Sequence, residues 1–247
     1  MNNIVIDRVL NATLDALKTT LLQRVGVDQK ICTLTITAGK VDVPQKKEWK
    51  REALDSTNFN NKIIILMESP HDDEFDKSNK FIGPANGGTG EKISMHLSAA
   101  INIIHDISPI ENGDYDLVLM NAVSFQCSMG FSTGYFRDLT FIGLWFDGGE
   151  RNFIKRLNNF SLTKKDIIIS SCTAGSHKYF KQTLGRKRFD EATLREICQN
   201  NKIKYSCNIG LRGLVDNAIH RAKIDARVVK CIHPCGWKAD NILRDCT

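Results

Sequence analysis

The chain has 247 residues, 42% of them hydrophobic, which is enough apolar matter for one large domain or two small ones. No run approaches the roughly 20 consecutive apolar residues of a membrane helix, so a helical membrane-spanning protein is excluded and no membrane partner is expected. The net charge of +6 favours a polyanionic partner, with nucleic acid the first candidate.

Residues 4–25 carry apolar side chains at Ile4, Val5, Val9, Leu10, Leu14, Leu17, Leu21, Leu22 and Val25, the spacing of an amphipathic helix. The start, Met1-Asn2-Asn3-Ile4, lacks a basic stretch followed by an apolar block, so a cytoplasmic location is expected. Residues 26–61 are mixed and polar, with Lys46, Lys47, Lys50 and Arg51 clustered. They read as a long connection with a short hairpin around Thr33–Val43.

Four short, apolar, mostly β-branched runs follow at 62–67, 116–121, 166–171 and 226–232. Helical patterns lie near 90–105, 149–158, 174–184, 190–200 and 211–222. Strands alternating with helices predict an α/β fold: three α/β/α layers around a central, mainly parallel sheet of four strands. The whole chain reads as a single domain, expected as a monomer, with 1–61 as N-terminal helix and extension and 62–240 as core.

The runs end in chemistry-bearing residues. Glu68-Ser69-Pro70-His71-Asp72-Asp73-Glu74 places four carboxylates and an imidazole in seven residues after the first run. Cleavage of a glycosidic bond needs a carboxylate near the anomeric carbon, to stabilise positive charge or orient water. Gly83–Gly90 is rich in glycine, but no Lys directly follows its last Gly and no Ser or Thr follows Lys92, so it departs from a P-loop. Its small residues would let backbone approach a flat ring, with Phe81 as a stacking face. Asn121 closes the second run, and a carboxamide can pair with a pyrimidine edge.

Cys231, His233 and Cys235 alternate, but a closed zinc site needs a fourth ligand, so no metal is expected. The eight cysteines are scattered without a Cys-x-x-Cys, as free thiols in a reducing compartment would be. Trp237 follows Pro234 and Gly236, where an exposed ring could wedge into a base stack.

In this order, the segments resemble the uracil-DNA glycosylase superfamily over about residues 62–240. Met67-Glu68-Ser69-Pro70-His71 resembles the family's Gly-Glu-Ala-Pro-Gly or Gly-Gln-Asp-Pro-Tyr motif. Phe81-Ile82-Gly83-Pro84-Ala85 is similar to its Phe-Val-Gly-x-Ala segment. Leu117-Val118-Leu119-Met120-Asn121-Ala122-Val123 is similar to Leu-Leu-Leu-Asn-Ala-Val, and His233-Pro234-Cys235-Gly236-Trp237 to His-Pro-Ser-Pro-Leu. Ser171-Cys172-Thr173-Ala174 with trailing Lys178 falls where a Gly-x-x-Ala motif would.

The resemblance implies a monofunctional DNA glycosylase that leaves an abasic site and needs no cofactor. Glu68 would be the catalytic carboxylate, with Asp72 or Asp73 next. Ser69 stands at the Asp or Asn of several branches. His233 would donate to the departing base. Phe81 and Asn121 would bind the base, and His71 replaces a Tyr that walls off 5-substituents. Trp237 would be the wedge, while Lys178, Lys181, Arg186, Lys187, Arg188 and Lys238 would grip DNA phosphates. The departures suit a 5-substituted cytosine, such as glucosylated hydroxymethylcytosine in phage DNA, as well as uracil. The alternatives are a nucleic-acid-binding relative without catalysis and a nucleotide-binding enzyme using Gly83–Gly90.

Overall fold

A computed structural model describes residues 24–54, 60–127, 141, 144–174, 211–239 and 241–243. The expected helices at 4–25, 174–184 and 190–200 lie wholly or almost wholly outside these residues.

The strands are β1 (Gln29–Thr37), β2 (Lys40–Val41), β3 (Glu52–Ala53), β4 (Asn61–Met67), β5 (Gly113–Asn121), β6 (Ile167–Ser170) and β7 (Arg227–Lys230). The helices among the described residues are α1 (Gly88–Ile107), α2 (Glu150–Asn159) and α3 (Leu211–Ala222). All four expected strands form, and β5, β4, β6 and β7 pair in parallel in that order. The sheet is nevertheless not four-stranded. It is a mixed sheet of seven, because β1 pairs antiparallel with β5 and carries β2 and β3.

The extension comes from the segment read as a connection. Within it, β1 and β2 form the expected hairpin through Ala38 and Gly39, both at positive φ (49° and 74°). Two positive φ values in a two-residue loop match the twist of the flanking strands. A Cβ at Gly39 would lie 2.5 Å from the His105 ring, so glycine also permits the hairpin to approach α1.

Strand residues alternate between two cores. Ile63, Ile65, Leu117 and Leu119 pack with Ile93, Leu97, Ala100, Ile101 and Ile104 of α1. Ile64, Leu66, Val118 and Met120 pack with Phe153 and Leu157 of α2 and with Leu214, Val215 and Ala218 of α3. Burial on both faces explains why β4 and β5 read as continuous apolar runs rather than as alternating ones. β7 differs: Arg227 and Val229 are half-buried while Val228 and Lys230 are exposed, as befits an edge strand.

Candidate functional site at the carboxyl edge of the sheet

The parallel registers bring Met67 level with Asn121, and Leu66 and Ser170 level with Lys230 through β6. The residues after each strand therefore emerge along one edge. β4 is followed in the chain by its neighbour β5 on one side, and β6 then pairs on the other. The boundary between β4 and β6 is a topological switch point, where open α/β sheets receive ligands.

Glu68 stands at that boundary, 6% exposed. Its Oε2 accepts from the Thr173 backbone N–H at 3.3 Å. The same oxygen lies 3.5 Å from His233 Nε2, delivered by the segment after β7. His233 also opens the short Pro234–Gly236 turn, its Nδ1 accepting from the Cys235 N–H at 3.3 Å and lying 3.0 Å from Cys235 Sγ. With Nδ1 an acceptor, the neutral ring carries its proton on Nε2, directed at Glu68.

Asn121 is 5% exposed. Its Nδ2 is 3.5 Å from Glu74 Oε2, and its Oδ1 has no hydrogen-bond partner among the described residues. Ser171 Oγ and Thr173 Oγ1, just past β6, are likewise buried without a partner among those residues. The end of β5 is anchored by Arg156, whose Nη2 donates to the carbonyls of Asn121 (2.8 Å) and Ala122 (2.9 Å). Arg156 is fixed in turn by two bonds to the Asp28 carboxylate, at 2.6 and 2.7 Å.

Glu74 is the acid that sequence reasoning did not single out. It is 4% exposed, and burial pushes its carboxyl up to about 8, against the opposing hydrogen bonds from the Ala85 and His71 backbone and the Asn121 side chain and the charge of Arg51. Its Oε1 accepts from the Ala85 N–H at 3.1 Å. Its place among four acids of one turn gave no local sign that this one faces inward.

The remaining expected residues divide. Ser69 is partly buried beside Glu68, and His71 is exposed, its Nδ1 accepting from the Asp73 N–H at 3.2 Å. Asp72, the second choice of catalytic carboxylate, is instead paired with Arg24, which also donates to Asn79 Oδ1 (2.6 Å) and Gln126 Oε1 (2.9 Å). That makes Asp72 part of a loop tie. Phe81 is partly buried and meets Phe75 edge-on, with ring centres 5.5 Å apart.

Trp237 corrects the expectation of a wedge. Its indole is fully buried in the core that includes α1, and its Nε1 donates to the Ile232 carbonyl at 2.8 Å. The Pro-Cys-Gly turn folds the ring inward, where burying its large apolar area outweighs exposure. Lys238 is exposed, whereas Lys178, Lys181, Arg186, Lys187 and Arg188 lie outside the described residues.

Gly83, Gly87 and Gly90 have packing reasons, whereas a Cβ at Gly88 would meet open space. A Cβ at Gly90 would lie 2.1 Å from the Ala85 carbonyl, and one at Gly87 would lie 2.3 Å from Asp73 Oδ2. A carboxylate thus already stands beside the amino end of α1, which weighs against a nucleotide phosphate there. No group of three or more His, Cys, Asp or Glu poised to hold a metal occurs among the described residues.

No family model, curated protein or solved structure matches the chain.

Proposed function

We propose that the protein is a DNA glycosylase that hydrolyses the N-glycosidic bond of a pyrimidine turned out of the stack. The observation that carries this reading is the Glu68–His233 pair, 3.5 Å apart at the switch point. A pyrimidine nucleotide entering there would part this loose contact, with its sugar toward Glu68 and its base toward His233.

The C1′–N1 bond breaks with its electron pair leaving on the base. His233 Nε2–H donates to the base oxygen on which that charge gathers, the oxyanion type of stabilisation. Glu68 stabilises the cationic sugar and takes a proton from the water that adds to C1′. Asn121 reads the base edge with its Oδ1, and Phe81 lies against the ring. The base departs as its anion and takes a proton from solvent, and Glu68 returns its proton to solvent, so the products are the free base and an abasic site, with no cofactor consumed. Lys238 and the basic 178–188 segment hold the phosphate backbone. The exposed His71, three residues after Glu68, supports a site open to 5-substituted cytosines as well as uracil.

The test incubates the protein with DNAs containing uracil, hydroxymethylcytosine or its glucosylated form. Released bases are identified by mass spectrometry and abasic sites by aldehyde labelling. Base release that Glu68→Gln abolishes and His233→Ala slows by about 10²–10³, with DNA binding retained, supports the reading. DNA binding without base release from any substrate overturns it in favour of a non-catalytic nucleic-acid-binding protein.

A further inference from the structure

We propose that Glu74 sets which end of the Asn121 carboxamide faces an incoming ligand, and so selects the pyrimidine edge the site accepts. The inference rests on the glycosylase reading for its substrate class, but its physical basis lies in the Glu74–Asn121 pair alone.

The Ala85 N–H bond to Oε1 orients the Glu74 carboxyl group and leaves Oε2 for Asn121. Asn121 can satisfy only one end of its amide there. Its Oδ1 is buried and has no partner among the described residues. An unsatisfied buried acceptor is costly, and a ligand N–H would relieve it. The charged side chain facing Glu74 is Arg51, which donates to the Pro84 carbonyl at 2.6 Å. Of the other acids of the turn, Asp72 is paired with Arg24, and Asp73 is exposed with its Oδ2 beside Gly87.

Two arrangements follow from the proton on Glu74. When the carboxylate is ionised, Oε2 accepts from Asn121 Nδ2, and Oδ1 is presented to the ligand. When the carboxyl is protonated, Oε1 still accepts from Ala85, so the proton sits on Oε2. That O–H needs an acceptor, and a half-turn of the carboxamide supplies Oδ1. The ligand then meets Nδ2. The terminal torsion of Asn is broad and roughly two-fold, so the turn meets no steep intrinsic barrier. Burial holds the Glu74 carboxyl near 8, so both arrangements fall within reach of ordinary buffers.

The exchange matters because the two pyrimidine edges are complementary opposites. A cytosine presents an amino donor beside a ring-nitrogen acceptor, and a uracil presents a carbonyl acceptor beside an N–H donor. With the ring seated in one register, the carboxamide meets the group at ring position 4, so Oδ1 fits a 4-amino pyrimidine and Nδ2 a 4-oxo one.

Glutamine at position 74 would keep an oxygen for the Ala85 N–H and turn an N–H toward Asn121 Oδ1. Glu74→Gln therefore mimics the protonated state at every pH. In 15N-labelled protein, the Asn121 side-chain amide signals, assigned by their loss in Asn121→Asp, should shift with a midpoint near pH 8 in the wild type. They should not shift in Glu74→Gln. The ratio of base release from 4-amino and 4-oxo pyrimidines in one sequence context should change at least about 5-fold between pH 6.5 and 9.5. In Glu74→Gln that ratio should stay at the wild-type low-pH value.

Amide signals that do not move, or move equally in both proteins, overturn the proposal. So does a titrating amide with an unchanged ratio. Absence of all base release defeats the glycosylase reading, while the amide titration still decides whether Glu74 turns Asn121.

Discussion

Replacing Glu74 with Gln should stabilise the protein at alkaline pH and leave it nearly unchanged at pH 5. Glu74 is 4% exposed, and its carboxyl is raised from 4.5 to about 8. Below 4.5 the acid is protonated in folded and unfolded chains alike and contributes no pH-dependent difference. Between 4.5 and about 8 the unfolded chain releases the proton while the folded chain keeps it. The folded state then loses about 1.4 kcal/mol of stability for each pH step. The loss reaches about 3 kcal/mol at pH 7 and levels off near 5 kcal/mol above pH 8. A domain typically holds only about 5–15 kcal/mol in total, so this is a large fraction. Gln does not ionise and can keep the Ala85 bond, so the variant lacks the loss. Urea denaturation of both proteins at pH 5, 7 and 9, followed by tryptophan fluorescence, measures the difference directly, since every other titrating group is common to both. A gap that grows by several kcal/mol from pH 5 to pH 9 is expected. A gap constant to within about 0.5 kcal/mol would show that Glu74 ionises as an exposed acid does, and would remove the proton on which the Asn121 switch depends.

Three further outcomes are expected. His233→Ala should slow base release by about 10²–10³, the usual cost of a lost donor to a developing anion, with DNA affinity by fluorescence anisotropy unchanged. Arg156→Met should cost about 3–5 kcal/mol in chemical denaturation, because it leaves the Asp28 carboxylate buried without its cation, and adding Asp28→Asn should restore much of it. Trp237→Ala should destabilise the fold by about 3–5 kcal/mol and slow reaction on single- and double-stranded DNA alike; a loss confined to duplex DNA would reinstate the wedge.

The parallel strands were legible because burial on both faces writes an unbroken apolar run into β4 and β5, and because each run ends in a polar residue. The hairpin was legible from its local turn. What local pattern could not reveal was that β1 pairs with β5, more than 75 positions away, and so converts a four-stranded expectation into a mixed sheet of seven. Glu68, Asn121 and His233 were found because strand ends have a defined address in an α/β sheet. Arg156 and Asp28 were missed for the opposite reason. Arg156 belongs to α2 and Asp28 to the segment before β1, and they meet only because the fold brings both to the end of β5. Trp237 was misread because a Pro-Cys-Gly turn looks exposed in sequence, although here it folds the indole into the core.

Glu68 and Glu74 stand six residues apart in one acidic turn, and the fold gives them different tasks. Glu68 follows β4 directly and meets the switch point, where Thr173 and His233 converge on one of its oxygens. Glu74 ends a short turn that carries it inward onto the Ala85 N–H and the Asn121 amide. Environments that differ this much sort two carboxyl groups of similar intrinsic acidity into separate roles. In the proposed reaction, Glu68 faces the sugar and Glu74 never touches it. Instead, Glu74 acts through Asn121 on the base. On that proposal the turn supplies both chemistry and selection, and Glu68→Gln and Glu74→Gln should separate them: the first abolishing turnover on every substrate, the second changing which substrate is preferred.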